Sequence, residues 1–190
     1  VVVALEAPNS AIDTGKISDI SPDFADGITG WNRLPDLTAS WRIDADWGHV
    51  KAAGILRQVG YQNTLTPDGN PSGTKTGYGL NLTGGLNVFG KDRISAGVVW
   101  GKAIASYMND GGVDLAPGPI RLGDTNAEAV QSIGWLAYYN HWWTEQWSST
   151  IGFSQHQQDN TAGQTATAFK RGSYGNLNVL YYPWKNVTTG

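Results

Sequence analysis

Residues 36–61, DLTASWRIDADWGHVKAAGILRQVGY, alternate two kinds of side chain around one tight turn. Side chains of a β-strand point alternately to opposite faces. With the turn placed at Trp47–Gly48, the spacing predicts Asp46 opposite His49, Asp44 opposite Lys51, Trp41 opposite Gly54 and Ala39 opposite Leu56. One face then collects Leu37, Ala39, Trp41, Ile43, Ala45, Val50, Ala52, Gly54 and Leu56, with no charge among them. The other carries Arg42, Asp44, Asp46, Lys51 and Arg57. Each arm is about ten residues or longer, where a soluble strand runs to about five or six. An apolar face, a charged face and that reach meet the requirements of a transmembrane barrel strand.

The pattern repeats along the chain. Val1–Leu5 reads as a strand end, and residues 8–35, with Pro8, Pro22 and Pro35, as a long loop. Residues 64–76 are rich in turn formers. A second hairpin covers 76–108, with its turn at Gly90–Asp92. Val88 is predicted beside Ile94, Leu86 beside Ala96, Gly84 beside Val98 and Leu82 beside Trp100. Residues 109–127 form a third loop. In the third hairpin, 132–156, a turn at Thr144–Gln146 pairs Trp143 with Trp147, Tyr139 with Ile151 and Ala137 with Phe153. After a polar loop at 158–168, strand 172–182 places Leu177, Val179 and Tyr181 on one face. Short turns near 47, 91, 145 and 184 thus alternate with long connections, the asymmetry of outer-membrane barrels. Trp47, Phe89, Trp143, Trp147 and Trp184 lie at the short turns. Amphipathic rings favour the membrane–water interface, so these are expected to form a girdle there. Trp41 is expected to shield Gly54 across the hairpin.

Composition narrows the function classes. The charged fraction is 15%, with 25 Gly and 9 Trp. A net charge of −3 gives no basic surplus for nucleic acid. No cysteine exists to form a disulfide, a thiolate metal site or a nucleophile. No run of about 18 apolar residues makes a spanning helix, which leaves barrel strands untouched as a way of crossing. The chain starts at Val1 without a leader and stops at Gly190 in what reads as a new strand, so an internal piece of a longer barrel is expected.

Four segments, RLPDLTASWRIDADWGHVKAAGILR, GYGLNLTGGLNVFGKD, LAYYNHWWTEQWSSTIGFSQHQQDN and LNVLYYPWKNVTTG, resemble successive segments of the DcaP-like outer-membrane porins. The resemblance runs over most of residues 1–190. It implies an antiparallel, up-and-down, sixteen-stranded barrel that assembles as a trimer in the bacterial outer membrane and admits small, often anionic solutes such as dicarboxylates. About eight strands and the start of a ninth are recognisable, which makes 1–190 one partial barrel domain. The family's leader, its periplasmic segment and its closing strand are not among these residues.

A porin selects through lumen charge and width rather than bond chemistry. By parity Arg42, Asp44, Asp46, Lys51, Arg57 and Arg93 face the lumen, and Arg33 and Arg121 sit in loops able to fold inward. Arginine's planar fork matches a carboxylate, so Arg42 and Arg57, with Arg33 and Arg121, are candidates for an anion path. The competing reading has wall acids balance them, with Asp44 facing Lys51 as such a pair. His49, His141 and His156 have no ligand spacing, so no metal or cofactor is expected. No enzyme motif occurs, and the chain is read as a non-enzyme. Two further readings stay open: a soluble, tryptophan-rich β-sandwich that binds carbohydrate, and, behind it, an all-β hydrolase.

Overall fold

The computed structural model describes residues 1–20, 25–108, 111–119 and 126–190. Its strands are β1 (Val2–Glu6), β2 (Ile28–Gly30), β3 (Asp36–Ala45), β4 (Gly48–Asn63), β5 (Gly73–Val88), β6 (Asp92–Lys102), β7 (Leu115–Pro117), β8 (Ala127–Ala129), β9 (Gln131–Trp142), β10 (Trp147–Asp159) and β11 (Arg171–Tyr181). One antiparallel sheet runs β1-β3-β4-β5-β6-β9-β10-β11, with β2 added beside β4; β7 and β8 form a separate hairpin. No second large sheet packs against it among the described residues, so the two-sheet sandwich is not the fold.

The face predicted to be apolar is the exposed one. Leu37, Trp41, Ile43, Leu56, Leu80, Leu82, Leu86, Ile94, Val98, Ile151, Phe153, Leu177 and Val179 are all exposed. A soluble sheet buries such a band; a barrel wall turns it to lipid. The buried apolar cluster lies on the opposite side. There Val59 and Tyr61 of β4 pack against Ala103, Leu115 and Ala127, with Ile12 and Ala129 beside them. The core is thus made by loops folded onto the inner wall.

The third hairpin has the predicted register, Tyr139 against Ile151 and Ala137 against Phe153. The first two are each displaced by one pair. Asp44 faces His49, Trp41 faces Ala52 and Ala39 faces Gly54. The turn is Asp46–Trp47, because Gly48 already pairs with Ala45. Leu86 faces Ile94, Gly84 faces Ala96, Leu82 faces Val98 and Leu80 faces Trp100. Here the turn is Phe89–Lys91, with Phe89 at φ +36° and Gly90 at +76°. A displacement of one pair moves a partner by two residues, so every side chain keeps its face. It removes two proposed contacts, however. Trp41 does not cover Gly54, whose outer neighbour is Leu80, and Asp44 does not face Lys51.

The second hairpin is also shorter than its sequence suggests. β6 ends at Lys102, and Ala103 takes φ +51°, in the left-handed region that breaks a strand. Ile104–Met108 turn inward through one 3-10 turn, Ala105–Tyr107.

Candidate channel lining and constriction

Strand parity puts Glu6, Thr38, Ser40, Arg42, Asp44, His49, Lys51, Arg57, Asn81 and Arg93 on the inner face of β1–β6. Their arrangement decides which of them a solute can meet. Arg42 and Asp44, two apart on β3, form a fork: Arg42 Nε donates to both carboxylate oxygens at 2.9 Å and Nη2 to Oδ1 at 2.6 Å. Both side chains remain at least half exposed. Lys51 stands across from Arg42, exposed, with no ion-pair partner among the described residues. Arg93 lies along the backbone of Gly85, where a Cβ would sit 2.6 Å from the guanidinium, and contacts His49 Nδ1 at 2.9 Å. Three cations and one carboxylate therefore share this part of the wall.

Arg57 does something else. Its side chain has no solvent exposure, and its guanidinium makes ion pairs with Asp36 at 3.0 Å and Asp114 at 3.4 Å, both equally buried. It also donates to the Ala103 carbonyl at 3.0 Å, to Ser106 Oγ at 2.7 Å and to the Asn9 carbonyl. The sequence-based place for Arg57 on an open anion path is corrected accordingly: no solute reaches it. Its position near the loop end of β4 sets it under loop 103–130. There two carboxylates neutralise a charge that would be costly to bury alone. Tyr107 closes the group, donating to Asp36 Oδ2 at 2.9 Å with its ring 5.0 Å from the guanidinium. Burial, and then the Asp36 hydrogen bond, push the Tyr107 phenol above the ordinary tyrosine range, so it acts as a neutral donor.

Asp114 carries the other end of this latch. It accepts from Ala11 N at 2.9 Å and Ser106 N at 3.2 Å, tying loop 7–35 to loop 103–130. Gln164, from the loop after β10, donates to Asp13 at 2.8 Å, so three connections converge over the inner wall. Glycines make room for the inserted loop. Ile104 lies against Gly79 and Gly101, where added Cβ atoms would meet it at 3.0 and 2.9 Å. Met108 lies against Gly134, at 2.9 Å by the same measure. The segment crosses β5, β6 and β9 and leaves Tyr107 and Met108 between two open recesses of about 310 and 550 Å³. These glycines occupy inner-face positions of their strands. Their recurrence opposite an apolar IASYM segment is the signal that points to the insertion.

The remaining candidates are scattered. Arg33 stacks on Trp31 with its guanidinium 3.8 Å from the ring centroid. Arg121 lies outside the described residues. Asp46 sits in the exposed first turn. Trp47, Phe89, Trp143, Trp147 and Trp184 are exposed at the short-turn end, and Trp147 stacks on Tyr181 at 4.5 Å. Trp142 and Tyr182 belong to the inner face, stacked at 5.1 Å.

A curved wall with lipid-type side chains outside and charges plus an inserted loop inside has a solved counterpart. The outer membrane channel DcaP of Acinetobacter baumannii superposes with a TM-score of 0.77 over 98% of this chain, at 17% sequence identity. The fold is that of a porin wall. The match covers 49% of the DcaP chain, so these 190 residues span about half its length. No family model matches the sequence, and no curated protein matches it.

Proposed function

We propose that residues 1–190 are part of one barrel domain of an outer-membrane porin, completed by further strands. Open strand edges carry unpaired backbone groups that lipid cannot satisfy, so β1 and β11 need partners before the wall can enter a membrane. The observation that carries the reading is the pairing of an exposed apolar outer face with a loop latched by Arg57 against the inner one. Such a chain works as a passive channel whose width is set by loop 103–130, with no chemical step. DcaP is an outer membrane channel, and the shared wall supports the same role and location for this protein. We also propose a homotrimer, which the sequence resemblance to DcaP-like porins implies, with contacts drawn from the outer face.

The solute class we propose is small anions, dicarboxylates among them. Lys51 is an exposed cation beside the constriction, without an ion-pair partner among the described residues, with the Arg42 fork opposite on β3 and Arg93 two strands away on β6. Charge rings of one sign raise the local concentration of the other. Asp44 offsets part of this, so a moderate preference is expected rather than exclusion of cations. The full-length protein in a planar bilayer under a salt gradient tests the proposal. Steps in triplets, a reversal potential favouring chloride and current block by succinate support it. Stable channels favouring cations would refute the anion reading, and protein that stays monomeric and soluble without detergent would refute the porin.

A further inference from the structure

The two halves of the inner wall are chemically different. Inner-face charges belong to β1 and β3–β6, whereas the inner positions of β9, β10 and β11 carry no Asp, Glu, Lys or Arg from Ser132 to Leu180. Aromatic rings stand there at several levels. Tyr174 is 58% exposed on the inner side. One level down, the Tyr138 ring lies against Gly152, where any Cβ would collide with it. Below that, Trp142 and Tyr182 stack with planes 28° apart. From the Leu136–Tyr174 level to the Trp142 level is about 20 Å at ~3.3 Å per residue.

Between the rings runs a line of amides. Asn178 Nδ2 donates to Asn176 Oδ1, and Asn176 Nδ2 to the Tyr174 hydroxyl, each at 3.3 Å. Asn140 Nδ2 donates to Thr150 Oγ1 at 2.9 Å. These pairs are long or local and can be exchanged for bonds to a passing solute.

We infer that the β9–β11 inner face is a track for neutral pyranose sugars, distinct from the charged path on the adjoining β3–β6 part of the wall. A pyranose offers an apolar C–H face to an aromatic ring and hydroxyls at its edge to amides. An extended anion gains nothing from an uncharged wall, and a flexible polyol has no flat face to stack. The span fits a short linear oligosaccharide better than a single ring.

This inference rests on the channel reading, and its test separates the two. Maltotriose added to the full-length protein in a planar bilayer should block the current in a concentration-dependent way, while sorbitol should not. Tyr138→Leu with Tyr174→Leu keeps apolar volume and removes two ring faces; the blocking constant should weaken about tenfold or more. Lys51→Ala should change anion preference and leave the sugar block intact. Conducting channels that maltotriose never blocks, or blocks equally in the leucine variant, would overturn the track while leaving the porin. Calorimetric titration of maltotriose onto the detergent-purified protein reads the same site without conduction. Heat lost in the leucine variant supports the track, and no heat with the unaltered protein overturns it even if no channel forms.

Discussion

Replacing Arg57 with methionine should release the loop that narrows the lumen. The substitution keeps most of the side-chain volume but leaves Asp36 and Asp114 buried without their common counter-charge. Removing one partner of a buried pair costs about 3–5 kcal/mol. At about 1.4 kcal/mol per factor of ten, the open-to-latched ratio of the loop rises by roughly two to three and a half powers of ten. Ala105 lies on the inserted segment and is buried. Residues 1–190 hold no cysteine, so Ala105→Cys gives the single reporter thiol among them. When opening and closing are fast, labelling by a water-soluble thiol reagent follows the open population. The thiol should therefore react at least about 100-fold faster in the Arg57→Met background, with a larger and noisier single-channel current. Arg42→Met removes an exposed, solvent-screened fork and should leave the labelling rate nearly unchanged. Equal rates in the Arg57→Met and unaltered backgrounds, with equal conductance, would refute the latch.

Three further tests probe separate parts of the account. Gly79→Val places branched atoms where Ile104 lies, so the loop should be displaced and conductance should rise in bilayer recordings without any change of charge. Lys51→Glu reverses this exposed cation near the constriction, and the reversal potential under a salt gradient should move toward cation preference; no movement would remove Lys51 from the selectivity argument. Leu82→Arg puts a charge on the lipid-facing side of β5 and should destabilise the inserted protein by about 2–4 kcal/mol in denaturant titrations from vesicles, whereas Thr83→Arg on the inner side should cost far less.

Strand order, faces and the rhythm of short and long connections were readable because each depends on neighbours in sequence and on a period of two. The turns were harder. Trp47–Gly48 looked like the loop because glycine tolerates positive φ, yet Gly48, at φ +132°, already belongs to the ladder. The long-range contacts left weaker traces. Arg57 shares its parity with Lys51, and nothing local distinguishes the two. Only the fold brings Asp36 and Asp114 to Arg57, while Lys51 sits further toward the short turn and stays open. Ile104–Met108 continued the apolar pattern of β6, and its departure from the wall is set by Ala103 and by glycines on neighbouring strands. Local pattern thus carries the wall, and the constriction depends on contacts the pattern does not contain.

The most direct test is a single-cysteine scan of residues 78–88 of β5 in the full-length protein embedded in outer-membrane vesicles. Side chains at 78, 80, 82, 84 and 86 should resist a water-soluble thiol reagent and react with a lipid-soluble one. Those at 79, 81, 83, 85 and 87 should show the reverse wherever the loop leaves them open. Strict alternation over the strand is the predicted result. Water-soluble labelling of both parities, or alternation with the faces exchanged, would contradict a lipid-facing barrel wall.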